Sequence, residues 1–115
     1  MDEYRLASER LSPNDARDWA SCKIGDLVHT TRLGVSIHGV IIDLRDEGKK
    51  GLPKRIKITK IYAEVVTDKW FDSLSGPIGM ITQRARDNLL NLQEIEILAH
   101  SFRGGDSSDR FEIIR

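Results

Sequence analysis

The chain has one cysteine, Cys22. No internal disulfide can form, so the fold does not need an oxidising compartment. No purely apolar run exceeds three residues, as in Val40-Ile41-Ile42, far short of the roughly 20 that a membrane helix needs. The opening Met1-Asp2-Glu3-Tyr4-Arg5 lacks the apolar stretch of a signal peptide. We therefore expect a protein made in the cytoplasm that stays soluble. Net charge is also missing: 18 basic and 18 acidic residues give +0. No global field draws the chain to nucleic acid or an anionic membrane. Aromatic residues are only 6% of the chain, which leaves few platforms on which bases could stack.

What remains is a globular composition, with 39% hydrophobic and 31% charged residues in 115. That length suits one domain with one core. Residues 1–22 are polar, with scattered apolar positions at Tyr4, Leu6, Leu11 and Trp19. Leu11-Ser12-Pro13-Asn14-Asp15 reads as a helix start. Ser12 is the N-cap, Pro13 takes the first helical position, Asp15 lies near the positive dipole end, and Leu11 can staple onto Ala16. So short a helix cannot stand alone in water, and Trp19 is its anchor.

Gly25-Asp26 predicts a turn into a strand running through Thr31. Residues 34–44 give the clearest strand. Val35, Ile37, Gly39 and Ile41 share one side and Val40, Ile42 and Leu44 the other. Gly39 in mid-strand predicts a bend or bulge of the kind that curls a small sheet. Residues 46–53 are a loop by composition. Arg55-Ile56-Lys57-Ile58-Thr59 then alternates, but the apolar parity changes before Ile61. Either a bulge lies at Thr59-Lys60 or two strands meet there. Trp70-Phe71 is a short aromatic strand, with one ring expected in the core and the other at an interface. Residues 72–79 read as an irregular loop, 82–92 as a short helix, and 93–98 as a final strand. Residues 100–109, with Gly104-Gly105 and Ser107-Ser108, read as a linker. Phe111, Ile113 and Ile114 then either return to the chain's own sheet or add as a strand to a neighbour.

Several stretches together carry a resemblance. Lys23-Ile24-Gly25-Asp26-Leu27-Val28 is followed by Gly39-Val40-Ile41-Ile42. Tyr62-Ala63-Glu64-Val65-Val66, the Trp70-Phe71 pair and Glu94-Ile95-Glu96-Ile97-Leu98 come later. Over residues 23–98 the chain resembles the small SH3-like barrel proteins of tailed bacteriophages. The resemblance implies a mainly β fold: a small SH3-like, partly open barrel over residues 23–99. An N-terminal arm with a short helix (1–22) would flank it, with an extended C-terminal arm (100–115). It also implies a virion accessory or assembly protein of a neck, baseplate or capsid, whose arms hold neighbouring subunits. On that reading the protein is found in the virion, and Trp19, Trp70, Phe71, Phe111, Ile113 and Ile114 are its candidate interface residues.

Catalysis and metal binding find no motif. Cys22, His29, His38 and His100 form no tight ligand pair of the zinc-site kind, although His29 and His38 could meet across adjacent strands. No nucleophile elbow or phosphate loop is present. The chain is thus expected to be no enzyme and to need no cofactor or metal. The alternative reading is a nucleic-acid-binding module. Lys49, Lys50, Lys54, Arg55, Lys57 and Lys60 occur within twelve residues with no acid among them, a reasonable footprint for phosphates or for an acidic protein. We expect the partners to be other protein subunits, further copies of the chain included, with nucleic acid secondary and no membrane.

Overall fold

The computed structural model describes residues 11–45, 55–66, 76–98 and 109–115. Helix α1 (Pro13–Ser21) is followed by strands β1 (Leu27–Arg32), β2 (Val35–Arg45) and β3 (Arg55–Val65). Helix α2 (Gly76–Asn91) and strands β4 (Glu94–Leu98) and β5 (Arg110–Ile113) complete the described order. The fold is mainly β. The five strands form one antiparallel sheet in the order β4-β3-β2-β1-β5, a small, partly open barrel that carries the two described helices.

The local rules account for most of the elements. Ser12 caps α1 by accepting from the Asp15 N–H at 3.2 Å, and Pro13 opens the helix. Leu33 and Gly34, both at positive φ (51° and 73°), make the two-residue turn that joins β1 to β2. Such a turn matches the twist of the flanking strands.

The pairing of β2 with β3 slips twice. His38 pairs with Tyr62 and Gly39 with Lys60, so Ile61 is an extra residue. This settles the parity change as a bulge within one strand. Gly39 is required at that slip, because a Cβ there would lie 2.6 Å from the Thr59 carbonyl oxygen. The second slip leaves Ile42 extra, since Ile41 pairs with Ile58 and Asp43 with Lys57. Ile42 is exposed, while Leu44 turns inward and packs against the core. The expectation that Val40, Ile42 and Leu44 share one side is thereby corrected: the bulge moves Leu44 to the side of Ile41.

The inner face carries Val28, Val35, Ile37, Ile41, Ile56, Ile58, Ile95, Ile97 and Phe111, closed over by Leu11, Trp19 and Cys22 and flanked by Leu89 and Leu90 of α2. The described parts of the two expected arms, residues 11–22 and 109–115, therefore share the sheet's own core. β5 pairs with β1, and α1 packs on β5. Trp19 (2% exposed) meets Phe111 (0%) edge to face, with ring centroids 5.1 Å apart. Their reading as interface residues is corrected: the tail returns to its own sheet, so both rings are used inside the chain.

Helix α2 is longer than the expected 82–92 and takes in Gly76-Pro77-Ile78-Gly79, read from the sequence as loop. Proline is tolerated in the first helical turn, where its missing N–H has no partner to lose. A helical glycine costs only about 1 kcal/mol.

Candidate functional site

Strand register places a polar row on the sheet's outer face. Tyr62 lies beside His38, His38 beside His29, and His29 beside Glu112. The second row runs Glu64, Ser36, Thr31, Arg110. His29 and His38 stack with centroids 4.6 Å apart and planes 17° apart. His29 Nδ1 is 2.8 Å from Glu112 Oε1, and its Nε2 is 2.8 Å from Ser36 Oγ. The Tyr62 hydroxyl donates to Glu64 at 2.7 Å, which raises the phenol pKa. His38 Nδ1 is buried and has no hydrogen-bond partner.

Ser36, His29 and Glu112 have the connectivity of a nucleophile, a base and an orienting acid. They lack its setting. Ser36 sits within β2, which is paired on both sides with β1 and β3. Backbone N–H groups there serve the sheet, so none is offered as an oxyanion donor. The array acts as a tie between strands.

The Cys22 thiol is buried. Burial, and then the neighbouring Asp26 charge, push its thiol up to about 12. Its Sγ donates to the Trp19 carbonyl at 3.2 Å.

The described part of the basic segment divides between the two faces. Arg55 and Lys57 face outward. Arg55 Nε lies 3.2 Å from Glu96 Oε1, and Lys57 stands in register with Asp43 and Glu96. Lys60 shares the inner parity of Ile56 and Ile58, and its Nζ donates to the Leu90 carbonyl at the end of α2. Arg55 and Lys57 thus share one face, opposite Ile56 and Ile58, whereas Lys60 is used to hold the helix. Lys49, Lys50 and Lys54 lie outside the described residues, as do Trp70 and Phe71.

Apolar surface is found elsewhere. Ile61, Val65 and Val66, around the far half of β3, are exposed. In α2, Leu89 and Leu90 pack on the core, and the helix end is further pinned by Gln93. Gln93 Nε2 donates to the Lys60 carbonyl at 2.9 Å, and the Gln93 carbonyl accepts from the Lys60 N–H at 2.8 Å. Ile78, Ile81, Ala85 and Leu89 recur at helical spacing. The stripe that meets the core at Leu89 therefore continues to Ile78 and Ile81, which with Met80 are 66%, 67% and 69% exposed respectively. Of the remaining expected interface residues, Ile113 packs against the core and Ile114 is 41% exposed. Sequence reading missed the α2 surface because residues 76–79 look like a turn.

Comparison with protein-family models, curated proteins and solved structures finds no match. No helix among the described residues is long and apolar enough to cross a membrane.

Proposed function

We propose that this chain is a non-enzymatic structural and assembly protein that holds a neighbouring protein subunit through the exposed first half of α2. Following its resemblance to phage SH3-like barrels, we place it in a bacteriophage virion. The observation that carries the reading is the overhanging stripe of α2. Its C-terminal end is fixed to the barrel, while Ile78 and Ile81, on that stripe, stand in solvent. Apolar side chains clustered this way on a small surface favour burial against a partner. The nucleic-acid alternative is less supported, because Arg55 faces Glu96 and Lys60 serves the end of α2.

Light-scattering mass of the full chain, at low and high salt, tests this beside an Ile78→Glu/Ile81→Glu variant. The expected result is a mass above the monomer that survives high salt and falls to the monomer in the variant. An assembly that dissolves in salt and ignores the variant would point instead to the basic segment, since phosphate and charge contacts weaken steeply with salt. A monomer in every condition rules out self-association.

A further inference from the structure

We propose that His29 and His38 form a bidentate site for an imidazole-preferring divalent transition metal, Zn²⁺ being the probe ion. Around the two-residue turn, Arg32 pairs with Val35, Thr31 with Ser36, Thr30 with Ile37 and His29 with His38. Counting outward from the hydrogen-bonded closing pair, every second pair is non-hydrogen-bonded, and His29–His38 is one of these. Such pairs bring opposed side chains closest. The rings accordingly touch, stacked with 4.6 Å between centroids and planes 17° apart; imidazole lone pairs lie in the ring plane, so a shared ion requires His38 to turn out of the stack.

Two further observations fit a ligand pair. Histidines that bind metal commonly give their second ring N–H to a carboxylate, which fixes the tautomer and makes the other nitrogen a better ligand. His29 has that arrangement, with Glu112 Oε1 at 2.8 Å from Nδ1. The remaining nitrogen, Nε2, has only the Ser36 hydroxyl to release. His38 Nδ1 is buried without a partner, so turning that ring to present a nitrogen sacrifices no hydrogen bond at that atom. Zinc accepts neutral imidazole nitrogen at about 2.0–2.1 Å in tetrahedral geometry, and water supplies the other two positions. Among the described residues no group of three or more histidines, cysteines or acids is placed to hold an ion. The site is therefore a weak, two-ligand one, with Glu112 acting through His29.

The chain has three histidines, so the test has a built-in control. Zn²⁺ is titrated into the full chain by calorimetry, with the histidine ring protons followed by NMR. The expected result is one ion per chain, with the signals of His29 and His38 moving and that of His100 still. His38→Asn removes a ligand without touching the His29–Glu112 contact and should weaken binding at least tenfold. His29→Asn should do the same, and Glu112→Gln should weaken it about tenfold. His100→Asn should leave the affinity unchanged. Unfolding midpoints without metal show which variants are folded and eligible for comparison. The proposal is overturned if Zn²⁺ does not saturate, if His38→Asn binds as tightly as the parent, or if His100→Asn abolishes binding.

Discussion

At the β5 edge, the backbone N–H groups of Phe111 and Ile113 donate to Asp15 Oδ2 (3.1 Å) and Asp18 Oδ2 (2.9 Å) of α1. Arg110 Nε adds a 2.9 Å bond to Asp15, and the Thr30 hydroxyl donates to the Arg110 carbonyl at 2.6 Å. Helical carboxylates thus stand where a sixth strand's carbonyls would, which blocks edge-to-edge pairing there. On the β3 side, α2 is held toward its end by Leu89, Leu90, Lys60 and Gln93, and Arg86 in its second half is buried. Its opening turns carry apolar side chains into solvent. α1 and β5, far apart in sequence, form the more completely satisfied region. Among the described residues, exposed apolar side chains stand on the opening turns of α2 and around the far half of β3, so we look for partners there rather than at α1 and β5.

The largest effect should come from breaking the satisfied region. Phe111→Ala removes a fully buried ring that also packs on Trp19, and should cost about 3–5 kcal/mol in urea unfolding. A loss below about 1 kcal/mol would mean that α1 and β5 are attached loosely after all. Asp15→Ala should cost about 2–3 kcal/mol. It leaves the buried Phe111 N–H without its acceptor and Arg110 without its main partner, the carboxylate that raises the guanidinium pKa. Asp15→Asn keeps one acceptor oxygen, so its loss should be smaller. Equal losses in the two variants would show that the charge, not the hydrogen bond to the edge, holds α1 down.

A third effect depends on pH. The Cys22 thiol is raised from 9.0 to about 12 in the folded chain. Between those values the unfolded chain gives up this proton and the folded chain keeps it, so the unfolded state binds fewer protons. Stability from this group is intact below pH 9.0 and is lost as the pH climbs to about 12. The urea midpoint should therefore fall between neutral pH and about pH 10.5 more in the parent than in Cys22→Ala. Identical falls would mean that the thiol is hydrated in the folded state.

Features governed by neighbours in sequence were legible before the structure. The Ser12 cap and Pro13 at the helix start depend on a few adjacent residues. The bulge showed as a parity change between Ile58 and Ile61, because side chains alternate with a period of two. Gly39 marked its partner strand for the same local reason. The second slip, at Ile42, left no signal, because Val40-Ile41-Ile42 is apolar on both faces. The polar row was legible only as two histidines that could meet. Glu112 stands 83 residues from His29, and nothing short of the β1–β5 register brings them together. The direction of the tail was left between two options for the same reason.

The smallest effect makes the sharpest contrast, because it compares two residues on one stripe of one helix. Leu89 packs against the core, whereas Ile81, two turns earlier, is 67% exposed. Leu89→Ala removes partly buried methyl groups and should cost about 2 kcal/mol, the low end for such truncations. Ile81→Gln keeps a good helix former and uncovers nothing, so its stability should stay within about 0.5 kcal/mol of the parent. If Ile81→Gln instead costs as much as Leu89→Ala, the overhang is buried in the folded chain, and the case for a partner on α2 goes with it. If stability holds while the assembled mass drops, the residue is used between molecules rather than within one.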